Sequence, residues 1–114
     1  MAGRARYMQA MSETTFHPAA RLDEVPEGTV KPVEIAGTPI ILCRSDERIF
    51  AVANRCSHAE EKLECGRIRR GWIACPAHGA RFDLETGDPL NPPATQPITT
   101  YAVRVIEGMI EVAI

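Results

Sequence analysis

An all-β fold is predicted by three observations. The 114-residue chain carries short runs of β-branched and alternating apolar residues, Gly-containing turn signals recur between the runs, and no long stretch sustains a helical apolar period. At this length there is room for one domain with a real core and no second one.

The elements follow in chain order. Met1 to Ser12 has no periodic pattern and carries Arg4 and Arg6, so residues 1–12 are read as a flexible extension and 13–114 as the domain. Phe16 to Val25 enters the domain, and Pro26-Glu27-Gly28 is a turn signal. Thr29 to Ile35, Pro39 to Arg44 and Ile49 to Ala53 are predicted strands. Ala36-Gly37 and Ser45-Asp46-Glu47 between them suit hairpin turns, giving an antiparallel meander.

From Asn54 to about Pro93 the composition shifts toward Gly, Pro, Cys, His and charge, which predicts a small subdomain (54–93) inserted into the β framework. Arg67 to Arg70 and Trp72 to Ala74 form a short hairpin around Gly71, and another short strand lies near Ala80 to Leu84. Pro89-Leu90-Asn91-Pro92-Pro93 breaks structure. Thr99 to Ile106 and Met109 to Ile114 then resume strand patterning and turn at Glu107-Gly108.

Composition bounds the function. A formal charge of -2 gives no electrostatic reason to expect nucleic acid or an anionic membrane surface. No apolar run approaches a membrane span, and the first residues lack the apolar segment of a secretory signal. The expectation is a cytoplasmic protein whose partners are proteins or small molecules. Four cysteines could form two disulfides, but nothing marks the chain as secreted, and Cys56 and Cys75 each stand in a Cys/His pair, so metal ligation is the better use. Cys43, after Pro39-Ile40-Ile41-Leu42, reads as a small buried hydrophobe and Cys65 as a loop residue; neither is given a catalytic role.

The two pairs, Cys56-Ser57-His58 and Cys75-Pro76-Ala77-His78, make a four-ligand metal set. Two thiolates and two imidazoles can close a structural zinc site or hold an iron–sulfur cluster, and ligand type alone leaves both open. A Cys and a His two or three residues apart on a tight loop can aim a sulfur and a ring nitrogen at neighbouring metal ions, and the hairpin between the loops is expected to bring their tips face to face. Pro76 stiffens the second loop. Gly79 is expected there to let backbone amides approach the inorganic sulfurs closely.

With Pro76 and Gly79 in place, Cys56-x-His58 and Cys75-Pro76-x-His78-Gly79 resemble the cluster-binding motif of Rieske proteins. Leu63, Gly66, Ile73, Phe82-Asp83, Thr86-Gly87 and Pro93-Ala94 also stand where that family's pattern has the same residues, and the likeness covers nearly all of Phe16 to Ile114. This context favours the cluster over zinc. The resemblance implies the Rieske-like fold of antiparallel sheets and one 2Fe-2S cluster. In it, Cys56 and Cys75 bind one iron through sulfur, and His58 and His78 bind the other through a ring nitrogen.

Departures from the high-potential members refine the expectation. Those proteins carry an extra disulfide between the ligand loops, at positions that are Glu61 and Ala77 here, and place a Ser and a Tyr hydroxyl against cluster sulfurs where this chain has Ala80 and Phe82. Missing hydrogen bonds leave more negative charge on the reduced site, so a low potential is implied, roughly -150 mV. A low potential suits the ferredoxin component of a ring-hydroxylating dioxygenase system. Such a protein is a monomeric electron carrier and not itself an enzyme, placed between a flavoprotein ferredoxin reductase fed by NAD(P)H and a terminal oxygenase. Alternatives are the Rieske-type small subunit of a nitrite reductase or similar complex, and a structural zinc module. His17 reads as an ordinary surface or strand-end residue, and Trp72 as a partly buried hairpin residue. Arg67, Arg69 and Arg70 read as the solvated face of a strand, with a charge-guided docking patch formed together with Glu60, Glu61 and Glu64 as the second reading.

Overall fold

The computed structural model describes residues 15–57, 61–76, 79–92 and 96–114; the 1–12 extension lies outside them. Its ten strands are β1 (Phe16–Arg21), β2 (Val30–Ile35), β3 (Thr38–Ser45), β4 (Arg48–Ala53), β5 (Arg67–Arg69), β6 (Trp72–Ala74), β7 (Arg81–Asp83), β8 (Thr100–Tyr101), β9 (Val103–Ile106) and β10 (Met109–Ala113). They form three antiparallel sheets with strand orders β1-β10-β9, β2-β3-β4-β8 and β5-β6-β7. The only helical turn among the described residues is the 3-10 turn Leu22–Glu24. The third sheet is built wholly from chain between β4 and β8, the segment whose composition shifts.

Strand β3 is the middle of the molecule, and its sequence explains why. Pro39 to Cys43 is a continuous apolar run, the pattern of a strand covered on both faces. Because side chains alternate, Ile40 and Leu42 join Val25, Ala51, Ile110 and Val112 in one core, between the first and second sheets. Ile41 and Cys43 point the other way, into a core with Phe50, Val52, Leu63, Ile73, Phe82 and Leu84. Ser45, 3% exposed at the end of β3, accepts a hydrogen bond from the Gly71 amide at 2.8 Å and so ties the third sheet to the second.

Four two-residue hairpin turns set the strand registers. Ala36-Gly37, Asp46-Glu47, Arg70-Gly71 and Glu107-Gly108 all have both central residues at positive φ, from 44° to 84°. This is the I′ geometry, whose twist matches that of the strands it joins. Asp46-Glu47 has no glycine. There the Glu27 carboxylate accepts both turn amides, Asp46 N–H at 2.7 Å and Glu47 N–H at 2.9 Å, offsetting the strain of Glu47 at φ 63°.

One expectation is corrected. Thr99 to Ile106 is not one strand: it breaks at Ala102, leaving β8 in the second sheet and β9 in the first. The Ala102 carbonyl accepts from Ala113 N–H at 2.9 Å, so the residue that leaves one sheet is already bonded to the other. Alternating apolar residues look the same on either side of such a corner.

Burial pushes the Cys43 thiol up to about 12. A raised thiol pKa means the native state keeps a proton that the unfolded chain sheds, so the contribution is intact below the ordinary thiol pKa and is lost as pH rises toward 12. In the native protein at pH 8 a thiol-titrating reagent is expected to label exposed Cys65 and leave Cys43 unlabelled until the protein unfolds.

Candidate metal centre

Both predicted sulfur ligands arrive in one place. Cys56 follows β4 in the first loop and Cys75 directly follows β6; each is 1% exposed, and both belong to the core cluster containing Leu63, Ile73, Ala80 and Phe82. None of the four cysteines is in a disulfide. His58 and His78, together with Ala77 and Pro93-Ala94 of the motif, lie outside the described residues.

The first loop is held from below by Asn54, which the sequence reading passed over. Asn54 is 7% exposed; its Oδ1 accepts from Leu63 N–H at 2.9 Å and Glu64 N–H at 3.0 Å, and its Nδ2 donates to Glu64 Oε1 at 2.9 Å. One amide thus pins both ends of the segment that carries Cys56. Cys56 N–H donates to the Glu61 carbonyl at 2.8 Å, and Ser57 Oγ donates to the Gln96 carbonyl at 2.6 Å, joining this loop to the proline-rich return. Gly66 completes the base: a Cβ there would meet the Ala74 carbonyl at 2.5 Å. Asn54→Ala strands two amide donors without an acceptor and is expected to destabilise the protein by about 2 to 3 kcal/mol, read as a lowered denaturant midpoint.

Backbone bonds close the second loop on itself. Cys75 N–H donates to the Ala80 carbonyl at 2.7 Å and Gly79 N–H to the Cys75 carbonyl at 2.9 Å. This revises the reading of Gly79. Its amide is spent inside the loop, and the glycine is required by a φ of 73°. Asn91 Oδ1 accepts from Arg81 N–H at 2.7 Å and braces the exit of the loop.

The remaining motif residues are scaffold. Asp83 Oδ1 accepts from Glu85 N–H at 2.8 Å and Thr86 N–H at 3.0 Å, and Gly87 N–H donates to the Asp83 carbonyl at 2.7 Å. Gly87, at φ 83°, lies so close to the Ile98 carbonyl that no side chain fits. Phe-Asp and Thr-Gly therefore turn the chain sharply beneath the ligand loops, with Phe82 fully buried.

Two buried thiols that form no disulfide and share one apolar cluster, at two internally bonded loops, are of the kind a thiolate-ligated iron requires on its sulfur side. When bound, a 2Fe-2S cluster supplies a one-electron redox couple.

Comparison with known proteins gives the family. Residues 15–102 match the Rieske [2Fe-2S] domain, and the chain belongs to that family, whose members hold one Rieske-type cluster. An anthranilate 1,2-dioxygenase ferredoxin subunit from Burkholderia cepacia is 32% identical over 105 residues, covering 90% of this chain and 97% of that one. The ferredoxin of carbazole 1,9a-dioxygenase from Nocardioides aromaticivorans IC177 has the same fold, with a TM-score of 0.82 at 33% identity, over 86% of this chain and 96% of its own. A chain from the complex of reduced oxygenase and oxidised ferredoxin in carbazole 1,9a-dioxygenase matches with a TM-score of 0.81 at 29% identity, over 86% and 92%.

Proposed function

We propose that this chain is the ferredoxin component of a multicomponent ring-hydroxylating dioxygenase system. It takes single electrons from a flavin-dependent NAD(P)H reductase and delivers them to a terminal oxygenase, as a cytoplasmic monomer. The observation that carries the reading is likeness over the relative's length: the chain covers 97% of a dioxygenase ferredoxin subunit, whereas it covers only 29% of a terminal oxygenase of the same fold. The finer assignments belong to the same proposal. Cys56 and Cys75 hold one iron, His58 and His78 hold the other, and residues 54–93 form the cluster-bearing part of a single domain 13–114. Among the described residues no helix is long and apolar enough to cross a membrane.

Reconstitution tests the proposal. The purified brown protein, mixed with a ring-hydroxylating oxygenase and its flavoprotein reductase, should restore NADH-driven product formation that neither enzyme supports without it. A protein that purifies only as a tight subunit of another complex, and supports no such turnover, would assign the cluster to that complex instead.

A further inference from the structure

The outer face of the third sheet gathers positive charge that the metal centre does not use. Register sets Arg67 opposite Ala74 and Arg69 opposite Trp72, then Trp72 opposite Asp83 and Ala74 opposite Arg81. Alternation sends Ile68, Ile73 and Phe82 to the core and leaves Arg67, Arg69, Trp72, Arg81 and Asp83 on one outward face, with Arg70 at the adjoining turn. Four of the chain's 13 basic residues therefore lie on one three-stranded sheet and its hairpin turn, in a protein whose formal charge is -2. Arg67, Arg69 and Arg70 are exposed and enter no ion pair among the described residues. Asp83, the acid on this face, already accepts two backbone amides. The Arg81 guanidinium lies 5.2 Å from the centroid of the half-buried Trp72 ring. Arginines around an aromatic are what protein interfaces favour.

This face is also joined to the metal centre. An open groove of about 470 Å³ has Arg67, Trp72, Arg81, Cys75, Pro76 and Gly79 among its walls. Trp72 and Cys75 are three residues apart along extended chain, about 10 Å.

We propose that this face docks an acidic patch on a protein redox partner. The proposal rests on the electron-carrier reading and adds to it a place and a sign of charge. At physiological salt a partner within a Debye length responds to the local excess of four arginines over Asp83 rather than to the distant net charge. The resulting contact is small and transient, as suits a carrier that must leave.

The first arm of the test needs no partner protein. The reduced protein gives one electron to ferricyanide, which becomes ferrocyanide, with no atom transferred. For an anionic oxidant meeting a basic face the rate should fall as salt is raised, despite the protein's negative formal charge. Arg67→Glu/Arg69→Glu should slow the low-salt rate about tenfold or more and abolish the salt dependence, while a cationic oxidant, tris-phenanthroline cobalt(III), speeds up. The Gln/Gln pair, which adds no repulsion, should fall between. The second arm measures affinity by calorimetry for an isolated flavoprotein reductase and terminal oxygenase; at least one should bind the Glu/Glu variant about tenfold more weakly at low salt. Ferricyanide rates equal to wild type would overturn the proposal, as would unchanged affinity for both enzymes. Salt-sensitive self-association lost in the variant would assign the face to a second copy and also overturn it. If neither enzyme takes up or supplies electrons with the wild-type protein, the carrier reading fails, whereas the ferricyanide arm still reports on the face.

Discussion

Replacing Cys75 by alanine is expected to give a colourless protein with under a tenth of the wild-type iron, no visible absorption band and no paramagnetic signal after dithionite reduction. The loss should be complete because cluster binding needs all four ligands at once, and an incomplete shell releases both irons instead of holding one weakly. His58→Ala should behave in the same way. Cys65→Ala is the control: Cys65 is exposed and lies outside the apolar cluster that contains Cys56 and Cys75, so this variant should stay brown. Iron content, absorption and spin signal on the three variants decide the matter. A Cys75→Ala protein that keeps its colour, or a wild-type protein that is colourless and zinc-loaded, would refute the ligand assignment.

The ligand loops were legible because cluster chemistry fixes residue type and spacing together. That Cys56 and Cys75 would come together could be read from sequence, and the structure buries both in one cluster; Cys43 could be read as a buried hydrophobe, since its apolar run is continuous. Hairpin turns were legible where Gly marked them. Asp46-Glu47 was placed correctly as a turn, but the residue that holds it, Glu27, sits 19 positions earlier and leaves no local trace. Asn54 and Asn91 were missed for the same reason. An asparagine in a loop reads as a turn former, and its work here is to accept amides from Leu63, Glu64 and Arg81, partners 9 or 10 residues away. The break at Ala102 was illegible in kind: β8 and β9 share one alternating pattern, and only the packing of two sheets decides where the chain crosses.

The second large effect concerns the reduction potential. The wild-type protein is expected near the low end of the Rieske range, roughly -150 mV. Ala80 and Phe82 are both fully buried in the cluster of side chains that contains Cys56 and Cys75, and neither carries a hydroxyl. A hydroxyl at either position would donate toward sulfur, and such a bond is stronger when the acceptor holds an extra electron. It therefore stabilises the reduced state and raises the potential. A preference of about 1 to 2 kcal/mol corresponds to about 40 to 90 mV for one electron. Ala80→Ser and Phe82→Tyr should each shift the midpoint upward by that amount, and Phe82→Leu, which adds no donor, should not. Voltammetry or dye-coupled titration reads the shift. A wild-type midpoint above zero would sink the low-potential assignment. If both hydroxyl variants load fully and neither moves the potential, the absent hydroxyls are not its cause, and the weight falls on the buried, apolar setting of the two thiols, where an added negative charge is costly.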